Sequence, residues 1–476
     1  MRALFFLLAL VASESLAQGQ NDVSRGNILK RPEYQTYATI SLFVDGTLGS
    51  DSNPCTASGA SACRTLAGAL SKLPRFIRHN VTITVAAGTY AESLNITNGL
   101  YINNAVTVAI VGALDSFTPA TGTNSGTTSA ATAASSSGPP SITDSTQTWT
   151  VNNLKGRFVS FTSGSLSGSV FPITSNTATT LSMAGTASAG VGAAYSIVTP
   201  SVIFAQPASG TISNLDARGT LSFNSIDITS GVGIGTGVFF NNGGTISVNR
   251  CRFLSNGNGT AFSAAGSMTL FNSVFQNDGS GAGFISTAGG RPPAPTLTLT
   301  NTYFRATTGI ALNILSNSML NSAQFPTGNT LEVTTGTGLV NRSGTQATSG
   351  NGFYVTCTTA GSGIGAAFGT NIPLVATNSY GPGGSFTWRD TGQIVGCGSG
   401  VLVYGSYSLN VSSMNFSSVT NAIVVARGGY VVISGTPTFT TVTNELSLDG
   451  TTYTYAFLNG LSPQVISNSY SSVISK

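Results

Sequence analysis

The chain has 476 residues, of which only 7% are Asp, Glu, Lys or Arg, and its formal net charge is +4; an average soluble domain carries about 25% charged residues. So little charge excludes long solvent-facing helices, which need charged outer faces. It also leaves no basic stretch interleaved with aromatics, as nucleic-acid binding would require.

The N-terminus reads as an export signal over residues 1–17: a basic start at Met1-Arg2, a short apolar run from Ala3 to Ala12, and a small-x-small end at Ser15-Leu16-Ala17. Cleavage is expected before Gln18. The apolar run is too short to span a bilayer, and no later stretch is long and apolar enough. The expected location is secreted or cell surface. Export permits disulfides, and Cys55–Cys63, flanking a short polar loop, and Cys357–Cys397 are the candidate pairs. Cys251 is left over at an inward strand position. The five cysteines and the lone His79 form no cluster with ligand spacing, so no metal or cofactor is expected.

Residues 18–114 are expected to hold an N-terminal segment, a cap helix and the first rungs. Leu66, Ala69, Leu70 and Leu73 fall on one face of a short helix within Arg64 to Leu73, and Pro74 stops it. A strand Val81–Val85 follows, then Gly88-Thr-Tyr-Ala-Glu92 and the strand Leu94–Ile96. Residues 115–199 break the rhythm. A Ser/Thr/Ala/Gly-rich linker leads to a small β-rich module around Trp149, Phe158 to Phe161 and Val170 to Ile173. Such an insertion either carries binding or is passive decoration.

Residues 200–476 are read as the main rungs and the C-terminal end. One pattern, apolar at alternate positions and usually ending in Phe, begins at Leu221, Ile246, Met268 and Leu297 and returns at Leu409. The first four starts are between 22 and 29 residues apart. A second element accompanies each copy, with apolar ends at Val238, Phe262, Phe284, Ile310 and Leu339. A period of this length, with two or three short strands in each, specifies a solenoid whose rungs bury inward residues only against their neighbours. A leucine-rich repeat is excluded by the missing Leu-x-x-Leu-x-Leu pattern. Asn224 and Asn249, with Asn272 and Asn301 one place later, suit a corner, because Asn tolerates the left-handed conformation and stacked Asn side chains can bond along the coil. The fold expected is all-β: a right-handed parallel β-helix with a short N-terminal capping helix and an inserted small β module.

The segment from Phe43-Val-Asp-Gly through Glu92 resembles the opening of pectate-lyase-like β-helix proteins, in its Val-Asp-Gly strand, its Cys-Arg-Thr-Leu-x-x-Ala-Leu helix and its Ile-Thr-Val-Ala-Ala-Gly-Thr-Tyr-Ala-Glu run. The resemblance implies the fold, and it implies that Gly88, Tyr90 and Glu92 make a structural corner rather than a catalytic one. Ala422 to Leu448 looks like the closing rungs of tail-fibre β-helices. The enzymatic signatures of the superfamily do not match. Gln276-Asn277-Asp278-Gly279 departs from the Gln-Asp-Thr of pectin methylesterases, and His79, in the cap region, allows no Gly-His-Gly. From Ser201 onward the acids are sparse: Asp216, Asp227, Asp278, Glu332, Asp390, Glu445 and Asp449.

The remaining acidic candidates are Asp216 and Asp227, near Arg218, set against the reading that they are solvated turn charges. Trp388, Tyr404 and Tyr407 could stack on sugars or pack in the core. Two functional classes follow: a non-catalytic extracellular scaffold or adhesin whose partner would be polysaccharide or cell-surface glycan, or a polysaccharide lyase, hydrolase or esterase with a non-standard site. A Thr array for ice or crystals is disfavoured, because runs such as Thr296 to Thr302 do not recur in register. The oligomeric state stays open, a trimer included.

Overall fold

A computed structural model describes residues 35–92, 100–135 and 138–206 throughout. From 212 to 475 it describes the strands together with the corner residues 219, 225, 250–251, 272–273, 301–302, 328–329, 418–420, 436–437 and 441–443. The expected export signal, Asp216, Arg218, Cys397 and Tyr407 lie outside the described residues. No helix among them is long and apolar enough to cross a membrane.

Alternate apolar residues drive the chain into short strands that stack in parallel, and the result is an all-β parallel β-helix. Among the described residues a first sheet has 14 strands, from Ile40–Val44 to Ser471–Ser475. A second sheet, from Gly88–Tyr90 to Thr438–Thr440, and a third, from Ile212–Asn214 to Val465–Ser467, have 11 each. Leu221, Ile246, Met268 and Leu297 stand opposite one another in the first sheet, the register the repeat predicts. Phe253, Phe275 and Phe304 form one inward column of the second sheet. Their rings stack with centroids 4.6 and 5.4 Å apart, and all three are buried.

The second repeat element is aligned differently from its apolar ends. Phe262 pairs with Phe239 rather than Val238, Ala261 pairs with Ile285, and Phe284 and Leu339 both pair with Leu312 rather than Ile310. An irregularity between Gly259 and Ala261 shifts the register. The strands Gly259–Ala264, Ala282–Ala288 and Ile310–Ser316 extend beyond the apolar ends of the repeat, so those ends fix no common register.

The corner between the first and second sheets is one residue in the left-handed conformation: Ser225, Arg250, Asn272, Asn301 and Gly328 in successive rungs, with φ of 57, 56, 45, 48 and 69°. Asn272 and Asn301 therefore do what was expected, and the Asn301 amide donates to Asn272 Oδ1 at 3.1 Å. Asn224 and Asn249 do not: each is the last residue of its strand. The rung geometry imposes the left-handed state one place later, whatever residue stands there.

The cap helix runs Leu66–Ser71, with Thr65 as N-cap accepting from the Gly68 N–H. Leu66 and Ala69 are buried in the cluster that holds Leu42 and Val44 of the first rung. Glu92 accepts from the N–H groups of Leu66 and Ala67 at 2.9 and 3.1 Å, where a helix start favours negative charge. Tyr90 OH accepts from Gly46 N–H and donates to Ala86 C=O. The Gly-x-Tyr-x-Glu run is thus a structural corner, tying the cap to the Val-Asp-Gly turn. Cys55 and Cys63 are disulfide-bonded, and Cys251 is free and buried. Of Cys357 only its place at the end of strand Tyr354–Cys357 is described.

Between Leu114 and Pro200 eight strands pair antiparallel in a separate sheet with its own core around Trp149, Phe161, Ile173 and Tyr195. Strand Thr107–Val111 pairs directly with Thr220–Asn224, and Gly88–Tyr90 with Val202–Gln206. The solenoid therefore continues across the insertion. The module occupies, in its rung, the corner that later rungs make with one residue.

Candidate functional site

Entering at that corner, the module lies over the outer face of the second sheet. Phe158, Val170, Ala184 and Val198 of the module pack on Val274 and Tyr303 of the solenoid. At Gly328 a Cβ would lie 2.7 Å from Gly185 Cα and 2.5 Å from Asn301 Oδ1, so a side chain there would push the module off its seat.

Asp227, the described member of the predicted acidic group, lies at one end of this seam. It points outward from its strand yet is only 2% exposed, because the module covers it. The next residue in register is Arg252, whose guanidinium donates twice to Asp227 Oδ2, from Nε at 3.1 Å and from a terminal nitrogen. Asp227 Oδ1 is buried without a partner. Burial pushes the Asp227 carboxyl above its ordinary value, and Arg252 and Arg157 pull it only part of the way back. Arg157 comes from the module, donates to Thr199 Oγ1 at 3.0 Å and stacks on Phe117 at 4.3 Å. Burial, then repulsion from Arg252, lowers its pKa to about 10, so it stays charged at neutral pH.

A second acid, Glu332, closes the other end. Lys155 of the module donates to it at 2.8 Å, Tyr303 OH donates to its other oxygen, and Arg305 Nε stands 3.8 Å away. The register runs from Asp227 through Arg252, Val274 and Tyr303 to Thr330. Four rungs at about 4.8 Å separate the backbones of the two acids by roughly 19 Å or more, too far for side chains of their length to bring the carboxyls within the roughly 5–9.5 Å of glycosidase pairs. Glu332 docks the module through Lys155, while Asp227 lies beneath it, bonded to Arg252 and in the field of Arg157. The Asp227–Arg252 pairing was legible in the repeats, since both residues hold the seventh position; Arg157, Lys155 and Glu332 carried no such signal.

The outer face of the first sheet is different. Thr220, Ser222 and Asn224 stand in register with Thr245, Ser247 and Asn249, and Ser222 and Ser247 continue through Thr269 to Thr298. Thr-x-Thr itself does not repeat, as the sequence indicated, but hydroxyl and amide positions do. Each of these side chains is half-buried, facing outward between inward apolar neighbours. Of Trp388 and Tyr404 only their places at the ends of strands Ser385–Trp388 and Ser399–Tyr404 are described. No group of three or more potential metal ligands occurs among the described residues.

No protein-family model matches the sequence, and no curated protein sequence matches it. Among solved structures, a glycoside hydrolase overlaps 85% of this chain and 96% of its own at 9% identity, with a TM-score of 0.30. The tailspike gp49 from Pseudomonas phage LKA1 overlaps 93% and 72% at 12% identity and 0.26. The gp54 tailspike of Acinetobacter baumannii bacteriophage AP22, solved with a capsular saccharide, overlaps 83% and 71% at 10% identity and 0.22. Overlaps of this size assign neither a family nor an activity.

Proposed function

We propose that this chain is an exported, non-catalytic β-helix that binds neutral polysaccharide at the cell surface or outside the cell. One observation carries the reading: between Thr220 and Thr300 the outer face of the first sheet presents hydroxyl and amide side chains in register, interrupted by Phe271, with no ionisable residue at its described outward strand positions. Such a face attracts neither nucleic acid nor polyanions, and it offers donors and acceptors at every rung. The acids Asp227 and Glu332 support the non-catalytic part, because both are closed off beneath the module and held by basic partners.

The test is affinity electrophoresis of the secreted protein through gels containing neutral glucans, mannans or galactans, with polyuronate gels for contrast, alongside assays for new reducing ends and unsaturated products. Retardation by a neutral polysaccharide without cleavage is expected. Chain cleavage would establish the lyase or hydrolase alternative, and free migration through every gel would end the binding reading.

A further inference from the structure

Four of the five large apolar side chains exposed among the described residues, Tyr37, Leu48, Val151 and Val191, lie in turns and loops. The fifth, Phe271, ends a strand of the first sheet and is 36% exposed. Its neighbours Met268 and Leu270 point inward and are buried, so core packing does not account for an aromatic ring on the outside. In register it stands between Asn249 and Thr300, with Thr269 two residues back on the same face. One rung below, the half-buried Arg250 donates to Gly168 C=O of a module turn at 3.4 Å, which sets the module beside this edge of the face.

We infer that Phe271 is the stacking platform of a sugar subsite, with a neutral glycan chain running along the solenoid axis over Ser247, Asn249, Thr269, Thr298 and Thr300. This rests on the polysaccharide reading above and says where the chain lies. A pyranose ring has an apolar C–H face and a rim of hydroxyls; an exposed ring flanked by amides and hydroxyls matches both, since aromatic faces attract C–H edges. The rung spacing of about 4.8 Å is close to the rise of one residue in an extended, equatorially linked glycan, so each rung can meet one sugar. The absence of ionisable residues at the described outward positions fits a neutral occupant. The module turn walls the side of the face on which Phe271 stands.

The experiment measures binding of the full chain to the best-retained neutral polysaccharide and to its oligosaccharides of increasing length. Phe271→Thr, which copies Thr300 in the next rung, should weaken binding about tenfold or more, the scale of a lost aromatic contact. Phe271→Trp should keep or tighten it, Thr300→Lys should weaken it by crowding the next sugar, and Val151→Thr should change nothing. Affinity should rise with oligosaccharide length over several sugars. Thermal melts establish that each variant is folded; should Phe271→Thr fail to fold, Thr300→Lys and Phe271→Trp decide. Wild-type affinity in Phe271→Thr, or in Thr300→Lys, would overturn the subsite and leave the polysaccharide reading standing. If the wild-type chain binds no polysaccharide, it is the reading itself that fails.

Discussion

Lys155 and Glu332 are 177 residues apart in the chain and 2.8 Å apart in space. Their contact closes a seam that begins where the module leaves the solenoid and ends five rungs later, at Gly185 against Gly328. A module that merely decorated a corner would touch one or two rungs. This one bridges rungs that otherwise meet only their immediate neighbours. Glu332→Gln keeps the shape but removes the charge that Lys155 and Tyr303 address. It is expected to lower stability by about 1–3 kcal/mol, the cost of an imperfectly satisfied buried group, and to raise hydrogen exchange both in the strand Tyr303–Ala306 and around residue 155. Exchange raised in the solenoid alone would mean that the seam carries no load.

At the opposite end, Asp227→Asn should cost more, about 3–5 kcal/mol, because Arg252 then keeps a covered charge with no counter-ion. The raised Asp227 carboxyl shows that burial outweighs the pairing. Replacing both residues, Asp227→Leu with Arg252→Met, should therefore recover most of the loss. Denaturant melts of the two singles and the double close this cycle; a double as unstable as Asp227→Asn alone would show that shape rather than charge dominates there.

How far the sequence reaches is visible in these same residues. The column Phe253, Phe275 and Phe304 follows from strict alternation of apolar residues, since a slip of one place would turn a whole strand inside out. In the third sheet the strands Gly259–Ala264, Ala282–Ala288 and Ile310–Ser316 run on past the apolar ends of the repeat, so those ends mark no common place and the register departs from them at Phe262 and Ile310. Asp227 facing Arg252 is a local consequence of the repeat. Lys155 reaching Glu332 is not, because docking of an inserted module is set by surfaces that no periodicity encodes. Phe271 ends an otherwise polar outward row, and it holds the fourth place of the repeat, opposite Asn249, rather than the eighth place of the inward phenylalanines.

The core column itself gives a direct measurement. Phe275 is 1% exposed and stacks on both sides, so Phe275→Ala should cost about 3–5 kcal/mol. The damage should centre on the rungs of Phe253 and Phe304 and spare the cap helix. Protection from exchange that falls equally at Leu66–Ser71 would contradict nearest-neighbour coupling.

Within the module, Asp144 is buried and accepts from Thr146 N–H and Oγ1, Tyr195 OH and the Gln147 amide. Burial alone would raise its pKa, but these donors together outweigh it and leave the carboxyl below its ordinary value. A group depressed in the folded state stabilises above its unfolded pKa and loses that contribution as pH falls through the folded one. Module stability should therefore drop on acidification below about pH 4. Asp144→Asn should be less stable at pH 7 and show a flatter acid limb in melts followed by Trp149 fluorescence. An unchanged acid limb would assign the pH dependence to another group.

Cys251 belongs to a ladder rather than to a reactive site. Its thiol donates to Asn249 C=O at 3.3 Å, just as the Ser273 hydroxyl donates to Phe271 C=O at 2.6 Å and that of Thr302 to Thr300 C=O at 3.0 Å. Each thus bonds the carbonyl two residues back, beside the left-handed corner. The ladder also runs between rungs, since Cys251 N–H donates to Ser273 Oγ and Thr302 N–H to Asn329 Oδ1. Burial pushes the thiol up to about 12, so almost no thiolate exists at neutral pH, and thiolate is the nucleophile. Thiol reagents should label Cys251 only after unfolding. Cys251→Ser keeps the donor and should lie close to wild type, whereas Cys251→Val matches the apolar surroundings but loses the thiol bond; the Asn249 carbonyl still accepts from Ser225 N–H at 3.0 Å, so the loss should be about 0.5–1.5 kcal/mol. Equal stability of the two variants would show that the slot selects for volume alone, and prompt labelling of the folded chain would show that the corner opens far more readily than its bonding implies.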